Sequence, residues 1–402
     1  MRATSQPMKA SPFLALFKKP GKSRQLALAP LLLPAVPLSA AEVFRYDSSY
    51  QVYDEAAGRM FIESWYYRGE MHLTDETSFR FQLLSDAISG ATPGGALPGG
   101  TQPFLIDLQD LRHGILGAMA HQFGDHRVEF EFSHSKEHDY LSKGFSLNDK
   151  WELNQKNTTL SMGLNYVTDT IEVIGTTDQS KKNYDLFTGI TQLLDKNTVL
   201  SANFTLGYSE GYLNDQYKFI QRTDIITIPG FPGIPVTNIY RENRPSSRLR
   251  QVLQLQGTHF FSKYHAALDS TVRLSNDDYG VFSQTAQVEW RQGLGDKFEL
   301  TPFVRYYRQN AASFYHQTLD KVPVKTPAKY PNGSGPNYSA DYRLSSMCTS
   351  SLGLKTRYRV SENVAFTAAY ELYDMKGTGS NPAPAAAYPT ASMWTFGATI
   401  QF

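Results

Sequence analysis

Charged residues recur at every second position along several segments of the chain, opposite a row of apolar residues. Segment 281–291 places Glu289 and Arg291 opposite Val288 and Trp290. Because side chains alternate between the two faces of a β-strand, one face of such a segment is charged and the other is apolar. If these strands close into a barrel, the charged face lines its interior and can select among ions and small solutes. The predicted interior set is Arg248, Arg250, Asp269, Arg273, Glu289, Arg291, Glu299, Arg305, Lys355, Arg357 and Glu371.

The alternative for this interior set is a lattice of ion pairs that only fills the barrel. Both signs of charge are mixed along the strands. An ion buried without a partner is costly, so the mixture of signs favours such a lattice. A pore lining and a ligand-binding interior are the functional alternatives.

Residues suited to catalysis or metal binding occur without the spacings that such chemistry uses. The nine histidines are scattered, and the chain contains neither an HExxH nor a GxSxG string, so neither a metalloprotease helix nor a serine nucleophile is indicated. His134 and His138 flank Glu137 and precede Asp139, but residues four apart on a strand are separated by about 13 Å. We therefore expect no metal site, no cofactor and no enzymatic activity, while a hydrolase of the outer membrane is an alternative.

Two long stretches rich in Gly and Pro interrupt the alternating segments, at 211–246 and 309–339. Loops of this length are usually functional or disordered. The first contains apolar residues that should not remain in water, namely Ile225, Ile226, Ile228, Phe231, Ile234 and Val236. We predict that this loop folds inward as a constriction, caps the mouth of the barrel or binds a partner. An external hairpin that packs on neighbouring loops is the plainer alternative.

The alternating segments number sixteen, and they are joined in turn by short polar turns and by mostly longer loops. The predicted strands are 43–53, 59–73, 77–86, 108–122, 127–136, 143–153, 157–171, 183–193, 198–210, 247–261, 264–275, 281–292, 297–308, 343–359, 363–373 and 391–402. Short periplasmic turns, long external loops and an even strand number are typical of bacterial outer-membrane barrels. We predict an all-β, transmembrane antiparallel β-barrel of 16 strands, with 14 as the alternative.

The last ten residues alternate strictly and end on an aromatic residue. Trp394, Phe396, Ile400 and Phe402 share one face of this segment. An open apolar edge of this kind would promote aggregation, whereas a barrel that pairs its last strand with the segment 43–53 removes the edge. A final strand of this pattern ending in Phe resembles the terminal signal of bacterial outer-membrane barrels. That resemblance implies recognition by the barrel-assembly machinery.

The first 41 residues differ from the rest of the chain. They carry six basic residues and no acidic one, then an apolar stretch at 26–38 and the small residues Ser39, Ala40 and Ala41, as in a cleaved secretory signal peptide. We expect residues 42–402 to form a barrel domain exported to the bacterial outer membrane, in contact with its lipid. The chain has 39 basic and 38 acidic residues, so loss of those six leaves a net charge of about −5, which gives no reason to expect nucleic-acid binding.

Five strings resemble blocks of the DUF3570 family of secreted proteins of unknown function. They are 86–93 (DAISGATP), 211–215 (GYLND), 240–245 (YRENRP), 276–280 (NDDYG) and 306–315 (YYRQNAASFY). The resemblance covers nearly the whole mature chain and supports the fold and the location. Because the family name implies no activity, the resemblance transfers no catalytic residue.

These features together predict a porin-like channel or a transport-related barrel for small solutes. Two alternatives belong to other classes of protein. One is the outer-membrane hydrolase, and the other is a structural or partner-binding barrel that uses loop 211–246.

Overall fold

The computed structural model describes residues 44–96, 103–324 and 326–402. In that part of the chain, sixteen strands form a closed antiparallel barrel, and two further strands form a separate hairpin. The predicted fold class and the predicted strand number are therefore confirmed. No helix among the described residues is long and apolar enough to cross a membrane. The predicted signal peptide, residues 1–41, lies outside the described residues.

The barrel strands follow the order of the chain, and the hairpin interrupts them once. They are β1 (Phe44–Glu55), β2 (Met60–His72), β3 (Thr77–Ala96), β4 (Pro103–Phe123), β5 (His126–Lys136), β6 (Tyr140–Leu153), β7 (Thr158–Ile171), β8 (Gln179–Asp195), β9 (Thr198–Gly211), β12 (Ser247–Phe261), β13 (Ala266–Asp277), β14 (Phe282–Leu294), β15 (Phe298–Gln309), β16 (Met347–Arg359), β17 (Val364–Gly377) and β18 (Thr390–Gln401). The hairpin consists of β10 (Phe219–Ile226) and β11 (Ile234–Arg241).

The first and last strands close the barrel. β1 and β18 are antiparallel neighbours, from the pair Arg45 and Gln401 to the pair Glu55 and Ala391. The backbone N–H of Phe402 donates to the carbonyl of Phe44 at 2.9 Å, and the rings of these two residues are stacked with centroids 6.2 Å apart. The prediction that the terminal strand pairs with the first strand is confirmed, and the pairing leaves no open edge.

Two predicted loops contain strand. β3 runs on to Ala96 and β4 begins at Pro103, so most of the connection between the predicted strands 77–86 and 108–122 is strand. The Gly and Pro residues there do not end the pairing, because a register shift between Pro93 and Gly95 absorbs the irregularity. A side chain at Gly90 would clash, since its φ is 129° and a Cβ there would lie 1.9 Å from the Arg59 carbonyl oxygen. The loop predicted at 211–246 likewise contains β10 and β11.

The outer face of the barrel is apolar. Each strand from β2 to β18 that belongs to the barrel exposes a large apolar side chain there: Trp65, Leu83, Ile115, Phe130, Leu147, Leu164, Leu186, Phe204, Leu253, Val272, Val288, Val304, Leu352, Phe366 and Phe396. On β18, Trp394 lies on this face and packs on Tyr370, with ring centroids 4.3 Å apart. A continuous apolar surface of this extent is unfavourable in water and favourable in lipid.

The two ends of the barrel differ in their connections. At one end the connections have two to four residues, and we call it the short-turn end; Phe402 lies there, beside the start of β1. At the other end lie the connections 212–246, 310–346 and 378–389, together with shorter ones. We call this the long-loop end. The segregation of long connections to one end agrees with the alternation predicted from the sequence.

Candidate functional site

Inward-facing residues of the described strands line two cavities inside the barrel. The loop-side cavity lies towards the long-loop end and has a volume of about 910 Å³. Its lining is Phe187, Asn203, Thr205, Arg250, Val252, Gln254, Thr271, Arg273, Ser275, Ser283, Thr285, Gln287, Arg305, Tyr307, Met347, Thr349, Ser351, Tyr373 and Met375. The turn-side cavity has a volume of about 520 Å³ and is lined by Gln51, Glu289, Arg291, Glu299, Thr301, Phe303, Lys355, Thr356, Arg357, Thr367, Ala368, Ala369, Glu371, Met393 and Thr395.

The turn-side cavity has a balanced charge. Its lining contains three carboxylates and three basic groups, and several of them are paired. Lys355 Nζ lies 2.8 and 2.9 Å from the two carboxylate oxygens of Glu289. Arg291 donates at 2.6 Å to Asp269 on the neighbouring strand. This part of the interior matches the predicted lattice of ion pairs.

The loop-side cavity has an unbalanced charge. Among the described residues, its lining contains three arginines and no carboxylate. Arg273 donates through Nε and Nη2 to the neutral Oε1 of Gln254, at 3.0 and 2.7 Å. Arg305 donates through Nε to Oε1 of Gln287 at 2.6 Å, and its Nη1 lies 3.6 Å from Glu371. The guanidinium groups are thus oriented mainly by neutral amides, so much of their charge is left uncompensated.

The structure places the eleven predicted interior residues in three settings. Arg250, Arg273 and Arg305 line the loop-side cavity, and Glu289, Arg291, Glu299, Lys355, Arg357 and Glu371 line the turn-side cavity. The other two line neither. Arg248 binds Asp277 near the rim and lies over the ring of Tyr279, 4.7 Å from its centroid. Asp269 is held by Arg291 and accepts a hydrogen bond of 2.6 Å from Thr258.

Comparison with known proteins identifies the family. The family model described as "Protein of unknown function (DUF3570)" matches residues 24–104 and 99–393. The chain belongs to this family. None of the curated proteins matches the sequence significantly.

Several solved structures are similar to this DUF3570 barrel. The siderophore receptor PirA from Pseudomonas aeruginosa has 12% identity and a TM-score of 0.44 over 88% of this chain and 61% of the receptor, so the chain spans less than two thirds of it. A bacterial polysaccharide outer membrane secretin has 9% identity and a TM-score of 0.49, over 90% and 98% of the two chains. OmpT, an outer-membrane protein of Vibrio cholerae, has 8% identity and a TM-score of 0.41, over 91% and 99%.

The loop-side cavity of this DUF3570 protein lies under packed loops. Residues 212–246, 310–324, 326–346 and 378–389 form what we call the cap. Together with the connection between β13 and β14 and the start of β16, they bury an apolar cluster of Tyr279, Val281, Ala312, Phe314, Tyr315, Leu344, Met347, Ala383, Ala387 and Tyr388. Met347 belongs both to this cluster and to the lining of the loop-side cavity. The cluster is therefore the ceiling of that cavity.

Hydrogen bonds tie the cap to strands around the barrel. The Lys218 ammonium donates to the Pro93 carbonyl at 2.8 Å, near the end of β3. Arg241 donates to the Ile174 carbonyl at 3.1 Å, in the connection between β7 and β8. Arg59, between β1 and β2, donates to the Ala386 carbonyl at 2.6 Å. Because these strands lie in different sectors of the barrel, the cap bridges its mouth.

A charged network is buried inside the cap. Arg244 lies between two carboxylates, with Nε 2.7 Å from Glu242 and Nη2 2.7 Å from Asp341. Arg343 donates through Nε to both oxygens of Asp341, at 3.0 and 2.9 Å, and also binds Asp215. Glu242 and Asp341 are each only 1% exposed. Since buried charges need partners, this network joins the base of connection 212–246 to connection 310–346.

The two buried carboxyl groups of the network respond differently to their surroundings. Burial raises the pKa of Glu242, and the nearby Arg244 only partly opposes it. Burial also acts on Asp341, but Arg343 and Arg244 outweigh it and hold the pKa of Asp341 well below its usual range. Asp341 is therefore the carboxylate that the two arginines stabilise in its charged form.

The apolar residues predicted as a constriction lie at the tip of the β10–β11 hairpin. Ile225 is 70% exposed and Phe231 is 68% exposed; Ile226, Ile228 and Ile234 are also exposed, and Val236 is half-buried. None of the six lines either cavity in the described structure. The inward-folding constriction was the wrong prediction, because the base of the hairpin is anchored and the tip is not. Binding of a partner by these residues stays a prediction.

The structure also brings Asp110 to the acidic residues of segment 134–139. Carboxylate oxygens of Asp110, Glu137 and Asp139 lie within 4.8 Å of one another. Within the described part of the chain, neither His134 nor His138 joins this group, so only the acidic members of the local cluster in the sequence come together in space. Sequence reasoning also missed the network of the cap. The sequence feature that could have indicated this network is the set of charged residues near the ends of the two long loops.

Proposed function

We propose that the protein is a bacterial outer-membrane barrel through which small solutes pass, and that the cap controls their entry to the lumen. The observation that supports this proposal best is the loop-side cavity of about 910 Å³, which is lined mostly by polar side chains and lies directly beneath the cap. A barrel that served only as a scaffold would need no charged cavity of this size.

The membrane location rests on the surface of the barrel. The apolar outer face is suited to lipid, and each of the sixteen described barrel strands is hydrogen-bonded to a neighbour on both sides, as a bilayer requires. Export by a cleaved signal peptide of residues 1–41 and delivery to the barrel-assembly machinery by the strand that ends at Phe402 are further parts of the proposal.

Control by the cap follows from its energetics. Opening the mouth would separate Arg244 and Arg343 from their carboxylates or expose the apolar cluster to water. Both changes are unfavourable. The resting barrel should therefore pass solutes slowly, and weakening the cap should speed that passage.

Swelling of proteoliposomes in isotonic solutions of small sugars and amino acids tests the proposal. One variant replaces residues 219–241 with Gly-Gly, which removes the hairpin and its buried residues Ile220 and Gln221. The matched control replaces only the exposed tip, 227–233. We expect faster swelling when the whole hairpin is removed and no change when the tip is removed. If no solute enters through any of the three proteins, the proposed function is wrong.

A second candidate function is binding of a partner by the hairpin tip, because its apolar side chains are exposed. Loss of co-purifying protein from membranes of the tip variant, with unchanged swelling, would favour this candidate. No observation supports the hydrolase: within the described residues, no serine hydroxyl is hydrogen-bonded to a histidine ring. His121, His126 and His259 share hydrogen bonds with Thr77, Asp149 and Thr198.

A further inference from the structure

We propose that the loop-side cavity is a binding site for a small solute that carries oxyanion groups, held by Arg273 together with Arg250 or Arg305. The inference rests on the proposed function only in that a solute must reach the lumen. It adds the chemical class of that solute, which is carboxylate, phosphate or sulfate.

The first argument is the contrast in charge between the two cavities. The turn-side cavity neutralises its basic groups with Glu289, Glu299 and Glu371. The described lining of the loop-side cavity contains no carboxylate, although Glu371 lies 3.6 Å from Arg305 at its lower edge. A lattice that only filled the barrel would place acids beside Arg250 and Arg273. Their absence from this lining leaves a local excess of positive charge that attracts anions.

The second argument is that the acids nearest to Arg250 do not pair with it. Asp277 lies directly opposite Arg250 in the register of β12 and β13. Its carboxylate is held by Arg248, however, through Nε at 2.9 Å. Asp185 on β8 and Arg250 on β12 both approach Gly207 on β9, but Asp185 accepts a hydrogen bond of 3.0 Å from Asn165 and forms no ion pair with Arg250 among the described residues. In the described structure Arg250 therefore has no ion pair.

The third argument is the orientation of the guanidinium groups. Gln254 fixes two N–H groups of Arg273, and Gln287 fixes one of Arg305. A neutral amide oxygen holds the plane of a guanidinium without cancelling its charge, so the remaining N–H groups can bind an oxyanion in a forked geometry. This arrangement is suited to reversible binding of an anionic ligand.

The spacing of the three arginines on β12, β13 and β15 determines which of them can share a ligand. Arg273 is paired in register with Thr285 on β14, and Thr285 with Tyr307 on β15, two residues from Arg305. With about 3.3 Å per residue and 4.8 Å between strands, the Cα atoms of Arg273 and Arg305 are about 12 Å apart, and those of Arg250 and Arg273 about 14 Å apart. By the same arithmetic the Cα atoms of Arg250 and Arg305 are about 24 Å apart, on either side of Arg273. Arg273 can therefore share one oxyanion ligand with Arg250 or with Arg305, whereas Arg250 and Arg305 cannot reach the same small ligand.

The remaining lining indicates a polar ligand body. Thr271, Ser275, Ser283 and Thr285 supply hydroxyl groups beside the arginines, while Tyr307 and Met347 form an apolar ceiling. Hydroxyl groups can donate to or accept from the ligand. The chemistry fits an anion with further polar groups better than it fits a simple halide.

Isothermal titration of the folded protein in detergent micelles with pyrophosphate and, separately, with citrate tests the site. The two probes distinguish a preference for phosphate from one for carboxylate groups. The test variants are Arg250→Gln and Arg273→Gln, and Arg273→Lys keeps the charge but not the forked geometry. The matched control is Arg308→Gln, because Arg308 lies on the same strand as Arg305 and is exposed on the outer face.

We expect each glutamine variant to raise the Kd of at least one probe about tenfold, as befits a lost hydrogen bond to a charged group. Arg273→Lys should have a smaller effect, and Arg308→Gln should have none. Heat-modifiable migration on gels shows that each variant is folded. The inference is overturned if the wild-type protein binds neither probe, or if the glutamine variants bind as tightly as Arg308→Gln. Swelling of proteoliposomes without anion binding would contradict only the proposed binding site. Anion binding without swelling would contradict only the proposed passage of solutes.

Discussion

Arg244 and Arg250 are six residues apart in the chain and lie in opposite electrostatic settings. Arg244 sits in the cap between Glu242 and Asp341, both of which are buried. Arg250 sits in the loop-side cavity and has no ion pair among the described residues. The same type of side chain thus has two roles. In the cap, arginine holds loops together through ion pairs, and in the loop-side cavity its charge is available to bind a solute.

The physical reason is the access of water. A buried ion pair must be complete, because removal of one partner leaves an uncompensated charge that costs about 3–5 kcal/mol. A charge that faces a water-filled cavity is solvated and costs little without a partner. Substitutions in the buried network should therefore lower the stability of the cap. Substitutions of the cavity arginines should instead change which solutes pass.

The largest effect is expected from Asp341→Ala. This change removes the shared partner of Arg244, which is buried, and of Arg343, whose side chain is 47% exposed. The loss at Arg244 alone should destabilise the cap by about 3 kcal/mol. Limited proteolysis of connections 212–246 and 310–346 in the folded barrel measures the effect, and cleavage should be much faster than in the wild type. The control is Asp374→Ala, which removes an exposed pair with Lys376 and should change cleavage little. Equal cleavage rates in the two variants would show that the network does not hold the cap.

Acid should loosen the cap through the same residue. Because the pKa of Asp341 is lower in the folded cap than its usual 3.8, its stabilisation is complete above that value and is lost as the pH falls below it. Glu242 has the opposite sign, since its raised pKa favours the folded cap below its usual 4.5 and not above. Cleavage of the cap loops should therefore rise as the pH falls from about 4.5 to about 2.5. With Asp341→Asn the rise should be absent, and an unchanged rise would assign it to other groups.

A smaller effect, confined to selectivity, is expected from the double variant Arg250→Gln, Arg273→Gln. Within the described residues neither arginine has an ion pair to lose, so stability should change by less than about 0.5 kcal/mol. The preference for chloride over potassium, measured as a reversal potential across a salt gradient, should fall severalfold because the local positive charge is removed. A clear loss of thermal stability with unchanged chloride over potassium selectivity would show that these arginines stabilise the fold, as the arginines of the cap do.

The smallest effect is expected from Glu289→Gln in the turn-side cavity. It breaks the pair with Lys355, whose side chain is 46% exposed. A pair that is open to water contributes less than about 1 kcal/mol. Thermal unfolding and the reversal potential should both stay close to the wild-type values. A large change in selectivity would mean that the turn-side cavity, not the loop-side cavity, selects the solute.

The barrel could be predicted from the sequence because its signals are local. Alternation at 281–292 and 391–402 sets the face of each side chain, and the turns set the order of the strands. The continuation of β3 past residue 87 could not be predicted, because Gly90 and Pro93 are typical of loops and are tolerated here by a register shift and by close contact with Arg59.

The candidate site was predictable in part. The alternation identified Arg250 and Arg273 as interior residues, and the cavity lining contains them. Among the described residues Arg250 has no ion pair, because Arg248 holds the carboxylate of Asp277. No local pattern in the sequence predicts this competition. The network of the cap joins residues about a hundred positions apart, such as Arg244 and Asp341. Contacts of this range have no periodicity in the sequence.

Single-channel recording of the wild-type protein and of Asp341→Ala in planar bilayers shows whether the cap controls a solute passage. We expect rare, brief openings for the wild type and frequent discrete conductance steps for the variant, with anion preference in both. Silence of both proteins, with folding verified, would contradict a solute passage beneath the cap. Equal, continuous conductance of both would contradict control by the cap.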